Sequence, residues 1–150
     1  MAKHSSDNTA VASYGVGIML LLAASRWRNS ADAIFEEAGV SSIQGMILVA
    51  AAILHASDGP ANQVNIARYA GLDVMTMSKN VRLLEGLKLI KRGSTPRDSR
   101  ARTVELTKDG SARLKKIAKG LHRLDEKAFN ELSGMQKLRK TLTSFLETAP

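Results

Sequence analysis

The most constraining feature of this sequence is a change of period. Up to about Glu85 the apolar residues recur at helical spacing; from Leu89 to Leu106 they alternate, around a stretch containing Gly93 and Pro96. Just before the change, Asn62 is placed to cap a short helix through Ala70, with Ile66, Ala67 and Ala70 facing inward. Gly71 supplies a turn. Asp73 is a natural N-cap for a helix from Val74 to about Glu85, with Met77, Val81 and Leu84 as its buried stripe and Thr76, Ser78, Lys79 and Arg82 on the other face. Two short helices joined by a glycine turn make a helix-turn-helix. The hairpin that follows pairs Leu89–Arg92 with Thr103–Leu106, puts Val104 and Leu106 on the buried face, and leaves the ten residues between as a loop. A helix-turn-helix running straight into a hairpin is winged, and the combination is far more specific than either half.

The flanks read as helices. Residues from about Val11 to Glu37 form one long helix or two, closing at Gly39. Ser41 or Ser42 caps the next, in which Ile43, Met46, Ile47, Ala50, Ile53 and Leu54 share a face that Ser57–Pro60 terminates. Lys108, Asp109 and Gly110 open a helix whose Leu114, Ile117, Leu121, Leu124 and Ala128 repeat as the seam of a helix packed along another. Ser133 is expected to cap a last helix carrying Leu138, Leu142 and Phe145. The apolar runs Val11–Ser25 and Ile43–Ala56 fall short of the roughly 18–20 residues a membrane span needs. The first resembles a signal peptide only loosely: a polar Ser-Ser-Asp-Asn-Thr follows Met1–His4, and Arg26 and Arg28 crowd the far end. Both runs are expected to be buried helices. The fold class is mainly α, a winged helix-turn-helix with a small β-hairpin wing and flanking N- and C-terminal helices, in one domain over 1–150.

Charge narrows the partner. The net charge is +8, and between Lys79 and Arg102 eight basic residues face only Glu85 and Asp98, so this window holds six of the eight net charges. Arg97, Arg100 and Arg102 sit where a hairpin tip can bury nothing, so they are placed to meet an anion outside the chain. Cysteine is absent, which removes disulfides, thiolate metal sites and thiol switches, and fits a reducing compartment. No phosphate-binding glycine loop or nucleophile–base pair is present, so an enzyme is not expected. His4, His55 and His122 lie far apart with no second ligand at helical spacing, so neither a metal nor another cofactor is expected.

The stretch GPANQVNIARYAGLDVMTMSKNVRLLEGLKLIKRGSTPRDSRARTVELTKDG resembles the DNA-binding core of the MarR (multiple antibiotic resistance regulator) family. The sharpest element is the wing signature, with Asp98, Arg100, Val104, Leu106, Thr107 and Gly110 in register; all but the first ten residues of the chain fit the pattern. The resemblance implies a homodimer held by the helices over about 11–40 and 108–150, with the winged unit over about 41–107 binding a pseudo-palindromic DNA operator. It places the Val74–Arg82 helix in the major groove, with Thr76, Ser78 and Lys79 at base edges or phosphates. It makes Arg100 the wing-tip residue entering the minor groove and Asp98 the residue bracing the wing. It also implies a small aromatic or phenolic effector between the dimer helices and the winged unit; Tyr14, Trp27 and Met46 are candidate lining residues, though core packing explains them equally well.

Three departures from the pattern concern the joint between helix and wing. The glycine usual before the first strand is displaced to Gly86, so the helix is expected either to end there or to force Lys88 into a left-handed conformation. Asn80 replaces an apolar residue. Arg102 replaces an aliphatic one, and would pair with Asp98 or join the phosphate contacts. The function expected is that of a cytoplasmic, sequence-specific transcriptional regulator, a homodimeric repressor relieved by a small molecule. The alternative is a sequence-tolerant architectural DNA-binding protein without an effector.

Overall fold

Side-chain caps start four of the described helices. In the computed structural model, which describes residues 13–148 apart from 60, 96, 97 and 131, and only the backbone of 58, 95 and 98–101, helix α1 spans Val16–Glu37 and α2 Ser42–Asp58. Ser41 rather than Ser42 caps α2: its hydroxyl accepts from the Gln44 N–H at 3.2 Å and the Gln44 side chain accepts from the Ser41 N–H at 2.9 Å. Asn62 caps α3 (Gln63–Tyr69) by accepting from the Asn65 N–H at 2.7 Å, and Asp73 caps α4 (Val74–Gly86). Thr107 caps α5 (Lys108–Phe129) through the Gly110 N–H at 3.0 Å. Helix α6 begins at Met135, so Gly134, with φ 84°, stands at the capping position where Ser133 was expected.

Three helices end alike. After α1, α3 and α4 the chain makes paired backbone hydrogen bonds back into the last turn: Gly39 to Glu36 and Val40 to Phe35, Gly71 to Arg68 and Leu72 to Ala67, Lys88 to Glu85 and Leu89 to Leu84. This closure needs one left-handed residue. Gly39 (φ 68°) and Gly71 (φ 64°) supply it without strain, whereas at the end of α4 it falls on Lys88 (φ 59°). Both expected consequences of the displaced glycine therefore occur together: α4 ends at Gly86 and Lys88 turns left-handed.

Among the described residues, β1 (Ala61–Asn62), β2 (Ile90–Thr95) and β3 (Asp98–Leu106) form an antiparallel sheet in the order β1-β3-β2. Strands β2 and β3 pair from Ile90 opposite Leu106 to Ser94 opposite Arg102, with an irregularity before Thr95 meets Asp98. The expected ten-residue loop is thus replaced by longer strands, because ladder hydrogen bonds continue past the last apolar pair, where side-chain alternation gives no signal. Strand β1, only Ala61–Asn62, pairs with Val104 and Thr103 on the other edge of β3 and was not legible in the sequence.

The core joins α1–α5 and the sheet through Phe35, Ile47, Leu48, Ile66, Met77, Val81, Leu84, Leu89, Ile90, Val104 and Ile117. On α3 Ile66 and Ala67 are buried and Ala70 half-buried, and on β3 Val104 is buried and Leu106 half-buried. Along the α5 seam Ile117 is buried, Leu114, Leu121 and Leu124 are half-buried, and Ala128 is exposed.

Two expectations of burial are corrected. On α2 the inward face is turned toward Gln44, Leu48 and Ala51 as well as Ile47 and Ala50, while Ile43, Met46 and Ile53 stay exposed. The helix is apolar on nearly every side, so its period could not choose between faces. The first apolar run is also open within the chain: Val16, Ile18, Met19, Leu20, Leu21 and Leu22 are all exposed, and only Ala31 and Phe35 of α1 are buried. Among the described residues, none buries that end of the helix. No single helix among the described residues is long and apolar enough to cross a membrane.

Candidate nucleic-acid interface

Helix α4 faces outward along a line fixed by its buried stripe. Met77, Asn80, Val81 and Leu84 turn inward. At 100° per residue, the opposite line runs through Met75, Lys79, Arg82 and Gly86, all exposed. Thr76 and Ser78 flank this line and are half-buried. Asn80, a polar residue at a core position, is reconciled by donating its amide to the Thr76 carbonyl at 2.9 Å.

The Thr76 hydroxyl is already engaged. It donates to one oxygen of Asp73 at 2.6 Å while the Thr76 N–H donates to the other at 2.8 Å. These two bonds, the hydroxyl first, hold the Asp73 carboxyl below the usual carboxylate range. The first turn of α4 therefore carries a fixed anion on its own N-terminus, beside Val74 and Met75, which are 73% and 80% exposed. The sequence analysis did not single out these two residues: the helical period sets Met75 opposite the buried stripe, whereas Val74, three positions before Met77, continues that stripe and only its exposure separates it.

Among the described residues, an ion pair ties the wing to α4. Arg92 on β2 binds Glu85 on α4, and that bond pulls the Glu85 carboxyl down and pushes the Arg92 guanidinium up; Arg102 adds a weaker electrostatic pull on Glu85. Across the hairpin Lys91 pairs with Glu105 at 2.7 Å. The Arg102 side chain is exposed, opposite Ser94. Arg97 lies outside the described residues, and of Asp98 and Arg100 only the backbone, in β3, is described.

The base of the wing explains the Leu-Thr-x-x-Gly run. Thr107 donates its N–H to the Leu89 carbonyl at 3.0 Å and its hydroxyl to the Lys88 carbonyl at 2.8 Å, while the same hydroxyl oxygen caps α5. One residue thus pins the end of α4, the start of β2 and the start of α5 together. From α5, Lys116 donates to the Glu37 carbonyl at 2.7 Å and Arg113 to that of Ala38, so two cations close the end of α1.

The candidate effector residues make separate contacts among the described residues. Trp27 donates its ring N–H to Asp125 on α5 at 2.9 Å, and Tyr14 and Met46 are exposed. An open cleft of about 300 Å³ lies elsewhere, lined by Leu87, Leu89, Asp109, Ala112, Arg113 and Lys116. No three His, Asp or Glu side chains converge among the described residues.

No family model matches the chain. It is 25% identical over 146 residues to YdcH of Bacillus subtilis, an uncharacterized HTH-type transcriptional regulator, covering 93% of this chain and 96% of that one. Its fold matches that of a MarR-family transcriptional regulator from Rhodococcus sp. RHA1 with a TM-score of 0.77, at 19% identity over 97% of this chain and 96% of that one. It also matches the transcriptional repressor CouR bound to a 23-mer DNA duplex, with a TM-score of 0.69 at 26% identity over 91% and 92% of the two chains. CouR from Rhodococcus jostii RHA1 bound to p-coumaroyl-CoA matches with a TM-score of 0.74 at 20% identity over 89% and 93%. The chain has the winged-helix fold of these MarR-family transcriptional regulators.

Proposed function

We propose that this protein is a homodimeric, sequence-specific DNA-binding regulator of the MarR type, a cytoplasmic repressor released by a small-molecule effector. The observation that carries the reading is the outward line of α4, with Lys79 and Arg82 exposed, beside a wing strand that brings Arg102 out on the same winged unit. Binding to phosphates by these cations supplies affinity, and side chains of α4 in the major groove supply sequence preference. Arg100 on the wing suits a narrow minor groove, where the potential is most negative and a permanent charge is favoured. The DNA-bound CouR structure supports this use of the fold.

Dimerisation is supported by apolar surface that a single chain leaves open: Val16, Leu20 and Leu21 on α1, and Leu138, Phe145 and Leu146 on α6. Effector release is supported by the CouR complex with p-coumaroyl-CoA. Such a ligand must favour the DNA-incompetent arrangement, because equal affinity for both states shifts nothing.

The test is binding to a duplex selected from random DNA, compared with a scrambled duplex at the same salt. A regulator prefers the selected duplex by at least about a thousandfold, whereas an architectural protein binds both alike. Sedimentation at micromolar concentration is expected to give a dimer, and a stable folded monomer would defeat that part of the reading.

A further inference from the structure

The first turn of α4 points two large apolar side chains, Val74 and Met75, into solvent. Met75 heads the same outward line as Lys79 and Arg82. Beside Gly86, farther along that line, there is open space within 4 Å, so nothing on the helix stops a surface from approaching it closely.

The polar groups of this turn are spent inside the protein. Asp73 accepts both the N–H and the hydroxyl of Thr76, and the Asn80 amide is turned back to the Thr76 carbonyl. The helix N-terminus, which would otherwise attract a phosphate, is covered by the Asp73 carboxylate. The turn therefore offers a DNA duplex neither a phosphate clamp nor a bidentate purine contact. What it offers is an isopropyl group and a thioether, continuous with the cations Lys79 and Arg82 that draw a polyanion to this face.

Of the groups that base pairs display in the major groove, one is apolar: the 5-methyl of thymine. We propose that Val74 and Met75 are specificity-determining residues that recognise thymine through its 5-methyl group. This rests on the reading of α4 as the major-groove helix and names what its first turn selects. The operator then carries a thymine in each half-site opposite the start of α4, and discrimination there comes from desolvating a methyl group.

The experiment uses the full-length protein and a duplex of about two helical turns selected from a random library at fixed salt. The duplex is remade with deoxyuridine in place of thymine, which removes the methyl groups and keeps the pairing. Wild type is expected to lose about fourfold in affinity for each contacted methyl. The Val74→Ala/Met75→Ala variant is expected to bind the two duplexes within about twofold of each other. Wild type binding both duplexes equally would overturn the proposal without requiring any variant to fold. A variant that suffers the same loss as wild type would overturn it too, by placing the methyl contact elsewhere. A library that yields no enriched sequence would overturn the regulator reading itself, and this proposal with it.

Discussion

A Cβ added to Gly110 would sit 1.9 Å from the carbonyl oxygen of Leu89, so the first turn of α5 and the root of the wing meet backbone against backbone. No flexible side chain is available to move aside; the Leu89 carbonyl is fixed by the Thr107 N–H at 3.0 Å. Gly110→Ala is therefore expected to destabilise the protein by about 1–3 kcal/mol, by overpacking. Chemical denaturation measures this, and an unchanged midpoint would show that the contact is looser than drawn.

Lys88 carries the opposite expectation. It stands left-handed at φ 59° in a closure that uses glycine at the ends of α1 and α3. Its side chain is exposed, so little packing is lost by removing it. Lys88→Gly is expected to stabilise by about 1 kcal/mol, by relieving the left-handed strain. A fall in thermal midpoint for this variant would contradict the account of the joint.

Acid should loosen the helix and wing through two carboxylates. The Thr76 hydroxyl and N–H lower the Asp73 pKa, and the Arg92 guanidinium lowers that of Glu85. A carboxyl whose pKa is depressed by folding contributes stability that is present above its unfolded value, about pH 4, and is lost as pH falls through the folded value. Both groups are solvent-exposed enough for the effect to be small. Stability followed between about pH 6 and 2 should fall less steeply in Asp73→Asn and Glu85→Gln than in wild type. Slopes identical to wild type would remove both groups from the acid response.

Phosphate contacts and base contacts should part company in salt. Arg100→Ala is expected to weaken binding to selected and scrambled duplexes alike and to reduce the salt slope by about one. Asp98→Ala should give a weaker version of the same loss. Ser78→Ala removes no charge and should leave the slope unchanged, relaxing preference at particular positions by roughly 1–3 kcal/mol each. If Arg100→Ala alters neither affinity nor slope, the wing does not bind DNA.

What was legible in the sequence is local. The caps at Asn62 and Asp73, the narrowing of the α2 cap to Ser41 or Ser42, the α4 stripe of Met77, Val81 and Leu84, and the pairing of the Leu89–Arg92 segment with Thr103–Leu106 all follow from residues that meet within a few positions or across one hairpin. Their geometry is dictated by helix and strand periods, which a sequence displays directly. Those periods carried the winged helix-turn-helix as well, and the resemblance in the wing signature added the expected dimer, DNA operator and roles of Arg100 and Asp98.

Tertiary structure decided everything that depends on which distant segment arrives. Nothing near Ile43 or Met46 says that the inward side of α2 will pass through Leu48 and Ala51, because both sides are apolar and the choice belongs to the helices packed against it. Ala61 and Asn62 become a strand only because Val104 and Thr103 lie alongside, more than forty positions later. Trp27 and Asp125, or Arg113 and the carbonyl at the end of α1, are joined by packing that no period encodes. Likewise Val74, three positions before Met77, continues the buried stripe by period until the fold leaves it in solvent. A period reports which residues share a face; only the packed chain determines which faces are covered, because burial is a property of pairs of surfaces.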